Sequence, residues 1–185
     1  GMDNGSRAFG VPFINKMWLD SLGLAIPTTT SELKSALQAF VTQDPNGNGE
    51  ADETGILFQG NKGYGNRGIN ILIGMFGRPD ASLHHMFEGD QVVFVADKPE
   101  FKAAIAFLHE LAEEGLLDVE SFTYGKNPYR AKLKEGKAGM FFEAGIAYTS
   151  YPEDLVKNAY VPIALPAAAG KAPQMARRSY IPGSN

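Results

Sequence analysis

Residues Asn15–Glu53 read NKMWLDSLGLAIPTTTSELKSALQAFVTQDPNGNGEADE. The first ten residues predict a short helix that stops at Gly23, with Trp18 and Leu22 on its inward side. After Ile26-Pro27-Thr28, Thr29 stands three residues before Glu32. This is the spacing of a capping box, in which the hydroxyl and the carboxylate each satisfy a backbone donor at a helix start. Leu33, Ala36, Leu37, Phe40 and Val41 follow at helical spacing, so one face of this helix is apolar. It runs directly into Asp44–Glu53, where four carboxylates, two asparagines and two glycines crowd into ten residues.

Two readings of that loop compete. DPNGNG is turn chemistry in its own right, and surface acids can simply be solvated. A hard cation such as Ca²⁺ instead asks for six to eight oxygens from a flexible loop, with alternate residues as ligands and glycine at the sharp bend. Asp44, Asn46 and Asn48 fall at positions 1, 3 and 5 of such a loop, Gly49 at position 6 and Asp52 at position 9. The regular alternation favours the cation, and the flexible oxygen cage favours calcium over magnesium. Position 12, which carries a bidentate Glu in an EF-hand, is Gly55. Glu53 at position 10 must then supply the closing carboxylate, and the following ILFQG does not read as an exiting helix.

Outward from this segment, strands alternate with helices. Phe9–Ile14 contains Pro12 and is expected as an edge or entry strand, because proline cannot donate to a ladder. GILFQG and QVVFVA read as strands and INILIGMFG as a buried helix. KPEFKAAIAFLHELAEEG reads as a long helix with Phe101, Ile105, Leu108 and Leu111 on one face and Gly115 as its stop. NPYRAKLKEGK suggests a shorter helix, and KAGMFFEA and AYVPIALP two more strands. The pattern is that of an α/β layered domain. The 185 residues include 21 glycines and 11 prolines, above the usual combined share of about 12%, so short elements joined by tight turns are expected. A net charge of −4 without a basic cluster argues against nucleic acid as a partner. No cysteine is present, which removes disulfides, thiolate metal sites and a thiol nucleophile.

The Asn15–Glu53 segment resembles family 1 extracellular solute-binding proteins, the carbohydrate-binding lipoproteins of ABC importers. There an NK-x-WL-x-x-LGL-x-x-PTT stretch precedes a helix and a DPNGNGxADE loop. FLHELAEEGLLDVESF, AKLKEGKAGMFF and, more loosely, YVPIALPAAAGKAP extend the likeness from about Phe13 to Pro173. The resemblance implies one lobe of a type II periplasmic-binding-protein-like α/β fold, incomplete at both ends, from a protein whose two lobes close on a sugar. It implies an ABC permease as partner, an oligosaccharide as cargo and an extracytoplasmic, membrane-anchored location. Relatives that bind alginate oligosaccharides carry a structural calcium in this loop. Carried over by motif, its ligands are Asp44, Asn46, Asn48, the backbone carbonyl of Glu50, Asp52 and Glu53.

Sugars need aromatic faces for their CH surfaces and planar polar groups for their hydroxyls. Tyr64, Asn66 and Arg67 in NKGYGNRG, and Glu143, Tyr148 and Tyr151 in FFEAGIAYTSY, are the candidates, against the alternative that they are core or surface pairs. Trp18 is assigned to the core. His84, His85 and His109 lack the convergent partners of a metal or catalytic site, and no hydrolase, P-loop or dinucleotide motif occurs, so no enzyme is expected. Residues 1–8 are expected to be a tag remnant and unstructured start, 9–175 the lobe, and 176–185 a truncated tail, with no export signal in the chain. Apolar surface at cut ends would then favour a homodimer. The alternative to a solute-binding lobe is a calcium-stabilised interaction module, or a relic that binds no solute, with an accessory domain of a carbohydrate-active enzyme a third reading.

Overall fold

The computed structural model describes residues 7–8, 10–60, 68–80, 82–143, 159–175 and 177–178. In chain order these form β1 (Arg7–Ala8), β2 (Val11–Asn15), α1 (Lys16–Ser21), α2 (Thr30–Thr42), β3 (Thr54–Leu57), α3 (Ile69–Gly74), β4 (His85–Glu88), β5 (Gln91–Phe94), α4 (Pro99–Glu113), α5 (Lys126–Lys134), β6 (Ala138–Glu143), β7 (Tyr160–Pro162) and β8 (Arg177–Arg178). Four strands make a mixed sheet in the order β3-β6-β2-β7. β3 runs parallel to β6, and β2 is antiparallel to both β6 and β7.

Both faces of this sheet are covered, as the apolar run Ala138–Phe142 of β6 requires: all six residues of the strand, Glu143 included, are buried. Because side chains alternate along a strand, Ile14, Ile56, Met140 and Phe142 face one side, where α1, α2, α3 and α4 contribute Leu19, Leu37, Phe40, Leu72 and Leu111. Phe13, Leu57 and Phe141 face the other side, against Tyr129 and Leu133 of α5 and Tyr160 of β7. Gly139 sits where α2 comes closest. A Cβ there would lie inside the van der Waals envelope of the Phe40 ring and 3.0 Å from the carbonyl oxygen of Gly55.

The capping box forms as expected. Glu32 N–H donates to Thr29 Oγ1 at 3.1 Å, and Thr29 N–H donates back to Glu32 Oε2 at 3.1 Å. Trp18 is buried with its ring edge-on to Phe40 at 5.3 Å. α4 is bound to α2 by Lys34, which reaches Glu110 and, at 2.7 Å, Glu114.

Two expectations are corrected. The strand carrying Pro12 is not an edge strand but is paired on both sides. Pro12 is tolerated because its carbonyl accepts from Ile163 N–H at 3.0 Å, just past the end of β7. The missing donor points the same way, to where the ladder has already ended. In α4, Ile105 is 41% exposed, and the inward stripe is Ala104, Leu108 and Leu111 with Phe107 against Phe76 at 5.8 Å. QVVFVA does contain a strand, yet it belongs to an exposed two-stranded hairpin with β4, which the sequence reading missed. Among the described residues, Leu83, Phe87, Val92 and Phe94 form a group of exposed large apolar side chains at this hairpin. β1 and β8 form a separate antiparallel pair.

Candidate metal centre

The loop after α2 is held in shape by its own polar groups. α2 ends at Thr42 with Gln43 as its cap, and Asp44 then takes a positive φ of 44°. Gly47 N–H donates to the Asp44 carbonyl at 3.1 Å. The Asp44 carboxylate accepts from Asn48 N–H at 3.1 Å through one oxygen and from Gly49 N–H at 2.8 Å through the other. Asn46 Oδ1 accepts from Asn48 N–H at 2.9 Å, and Asn48 Oδ1 accepts from Glu50 N–H at 2.8 Å. Each alternate side chain is thereby folded over the backbone two to five residues on, a geometry that aspartate and asparagine adopt readily. Gly49 has a φ of 80°, the left-handed conformation that glycine adopts without Cβ strain. Ser21 Oγ lies 3.2 Å from the Pro45 carbonyl oxygen and ties the loop to α1.

The two carboxylates at the end of the loop differ. Asp52 is 2.6 Å from the Lys137 ammonium and accepts weakly from Asn48 Nδ2 at 3.4 Å. The bond from Lys137, with help from Asn48, holds the Asp52 carboxyl below its usual range, and Asp52 in turn raises Lys137. Glu53 is different: both of its carboxylate oxygens are buried and neither has a hydrogen-bond partner. Leaving such a group dry and unpaired costs about 1–3 kcal/mol, and more when it is charged. A cation seated there would remove this cost.

The donor set is thus one of oxygens only, which suits a hard cation and no soft one. No group of three or more His, Cys, Asp or Glu side chains is gathered as a metal cluster among the described residues. The three carboxylates of the expected set, Asp44, Asp52 and Glu53, are thus not drawn together as one cluster in this structure. Sequence position alone singled out Asp44, Asn46, Asn48, Glu50, Asp52 and Glu53 as candidate ligands but gave no hint of Lys137. Its place follows from the parallel pairing Thr54↔Ala138, which sets the residues before β3 beside those before β6.

Of the expected sugar-contacting residues, Tyr64, Asn66, Arg67, Tyr148 and Tyr151 lie outside the described residues. Glu143 closes β6 opposite Val11 and is 1% exposed. His84 bonds the buried Asp80 carboxylate through Nδ1 at 2.9 Å, and His109 stands on the surface near Glu113 at 3.6 Å. GLLDVESF has a structural task. Ile56 N–H donates to the Leu116 carbonyl at 2.9 Å, Asp118 N–H to the Ile56 carbonyl at 3.0 Å and Phe58 N–H to Ser121 Oγ at 3.1 Å, so the outer edge of β3 is covered. Among the described residues, no helix is long and apolar enough to cross a membrane.

A scan against protein-family models finds none that matches. Among curated proteins, the chain is 43% identical over 131 residues to the fructooligosaccharide ABC transporter substrate-binding protein FusA of Streptococcus pneumoniae, covering 70% of this chain and 24% of that protein. The solved structure of FusA with kestose aligns with a TM-score of 0.79 at 32% identity, over 96% of this chain and 36% of the other. A FusA EF-hand mutant with fructo-nystose aligns at 0.81 and 31% identity, over 98% and 37%. An extracellular solute-binding protein from Bifidobacterium longum subsp. infantis aligns at 0.80 and 29% identity, over 91% and 35%. The chain spans about a quarter of the length of the curated relatives it matches. The mixed four-stranded sheet is that of a periplasmic-binding-protein-like lobe, and the chain belongs to the extracellular solute-binding proteins of carbohydrate ABC importers.

Proposed function

We propose that residues 9–175 form one lobe of an extracytoplasmic solute-binding protein that captures an oligosaccharide and delivers it to an ABC permease, with a structural Ca²⁺ in the Asp44–Glu53 loop. The observation that carries the calcium is the Glu53 carboxylate, buried without a donor at the end of a loop whose other acceptors are already oriented. Asp44, Asn46, Asn48, Asp52 and Glu53 would hold the ion through side chains and Glu50 through its carbonyl. The ion supplies fixed positive charge and rigidity, and no covalent chemistry is involved. The likeness to a structure described as a FusA EF-hand mutant supports this reading. Tyr64, Asn66, Arg67, Glu143, Tyr148 and Tyr151 are assigned to the sugar side of the lobe, and closure against a second lobe would complete the site.

The test is calorimetric titration of chelator-stripped protein with Ca²⁺, with the melting temperature followed in parallel. Saturable one-site binding and a raised melting temperature are expected, since a ligand of the folded state stabilises it by mass action. Fructooligosaccharides of the kestose type are the first sugars to add to the calcium-loaded protein, because FusA is the relative described with kestose. Absence of both heat and shift with Ca²⁺ would return the loop to a solvated turn. Pull-down of membrane permease components by a longer form of the protein would test the transport assignment separately.

A further inference from the structure

We infer that Lys137 is a built-in competitor for the cation, occupying Asp52 when the metal is absent and weakening its uptake; this rests on the calcium reading above. The lysine is fixed in place. Its carbonyl accepts from Thr54 N–H at 2.7 Å, and the next residue opens β6 in register with Thr54. From that anchored backbone its ammonium reaches Asp52 Oδ2 at 2.6 Å, with the two side chains 39% and 19% exposed. Among the described residues, Lys137 is the cation seated on this loop. Lys132, five residues earlier and on α5, is instead 4.0 Å from Glu135.

A divalent ion held by Asp52 at about 2.3–2.6 Å would stand roughly 5–7 Å from that ammonium if the lysine stayed. The two positive charges then repel, by an amount equal to about two- to fivefold in Kd at physiological salt and up to roughly tenfold at low salt. If the lysine leaves instead, the ion must replace an existing ion pair. Either way the affinity is lower than the oxygen set alone would give. In return, the metal-free loop keeps a positive partner among Asp44, Glu50, Asp52 and Glu53.

The experiment is a Ca²⁺ titration of the wild type, Lys137→Met, Lys137→Arg and Lys132→Met by calorimetry, at low and physiological salt, with melting in chelator. Lys137→Met is expected to bind Ca²⁺ about two- to fivefold more tightly at physiological salt, with a larger gain at low salt, and to melt at lower temperature in chelator. Lys137→Arg keeps the charge and should stay near wild type, and Lys132→Met controls for net charge and should move less. Lys137→Gln substitutes if the methionine variant does not fold. Unchanged or weaker binding by Lys137→Met overturns the inference while leaving calcium binding itself intact. A wild type that takes up no Ca²⁺ overturns both.

Discussion

Replacing Glu53 by Met should stabilise the metal-free protein and destabilise the calcium-loaded one relative to wild type. The Glu53 oxygens are buried and unpartnered, and an apolar side chain of similar length removes two unsatisfied acceptors without leaving a cavity. The expected gain in chelator is about 1–3 kcal/mol. For a chain of this length, 1 kcal/mol shifts the midpoint by about 2–4 °C, so the variant should melt roughly 2–12 °C higher. With Ca²⁺ at a thousand times Kd, the wild type gains about 4.1 kcal/mol and the variant, having lost its closing carboxylate, gains little. The two melting curves therefore exchange order between chelator and calcium. Trp18, the single tryptophan, packs on Phe40 of the helix that leads into the loop and provides the fluorescence signal. A variant less stable than wild type in chelator would refute the reasoning, since the carboxylate would then be contributing to the metal-free fold.

Gly139→Ala forces a methyl group into Phe40 and toward the Gly55 carbonyl; a loss of about 1–3 kcal/mol should appear in urea unfolding, and Phe40→Leu in the same chain should recover part of it. Thr29→Ala removes the cap of α2 and should cost about 1 kcal/mol, read as a lower denaturation midpoint with unchanged slope. The Glu32 carboxyl is held below its ordinary 4.5 by the Thr28 amide and hydroxyl and the Thr29 amide, and Glu114 by Lys34 and Gln38. A depressed carboxylate stabilises the fold fully above its unfolded value and loses that contribution as pH falls through the folded one. Melting temperature should thus hold from pH 7 to about 5 and fall below about 4.5, and Glu32→Gln should lower the plateau and make the acid fall shallower.

What could be read directly from sequence was the chemistry that is local along the chain. The Thr29–Glu32 box and the Asp44–Gly49 turn close on themselves within a few residues, so their spacing already specifies their bonds. The run Ala138–Glu143 was legible as a strand because only a strand buried on both faces tolerates it. Non-local partners were not legible. Pro12 suggested an edge because proline lacks a donor, but its exemption comes from where β7 stops, some 150 positions later. Ile105 outranks Ala104 in hydrophobicity, yet the small alanine is the one buried as α4 packs beside α3. The hairpin of β4 and β5 had a signal in Gly89-Asp90 between the paired Glu88 and Gln91, a favoured two-residue turn; its exposed apolar side chains obscured the polar alternation expected of a surface strand. Lys137 needed the parallel pairing of β3 with β6 before it could be connected with Asp52.

The strand order also constrains how the protein emerges during synthesis. β2 and β3 are made early, but neither is a neighbour of the other; each waits for β6, and β2 waits for β7 as well. Roughly 80 residues separate Leu57 from Ala138, on the order of 4–16 s of translation at about 5–20 residues per second. Through that interval Phe13, Ile14, Ile56 and Leu57 have no sheet to join, and the nascent chain displays apolar strands that a chaperone would recognise. Assembly of the sheet then turns on one six-residue segment: when Ala138–Glu143 leaves the ribosome, two pairings and both halves of the core become available at once.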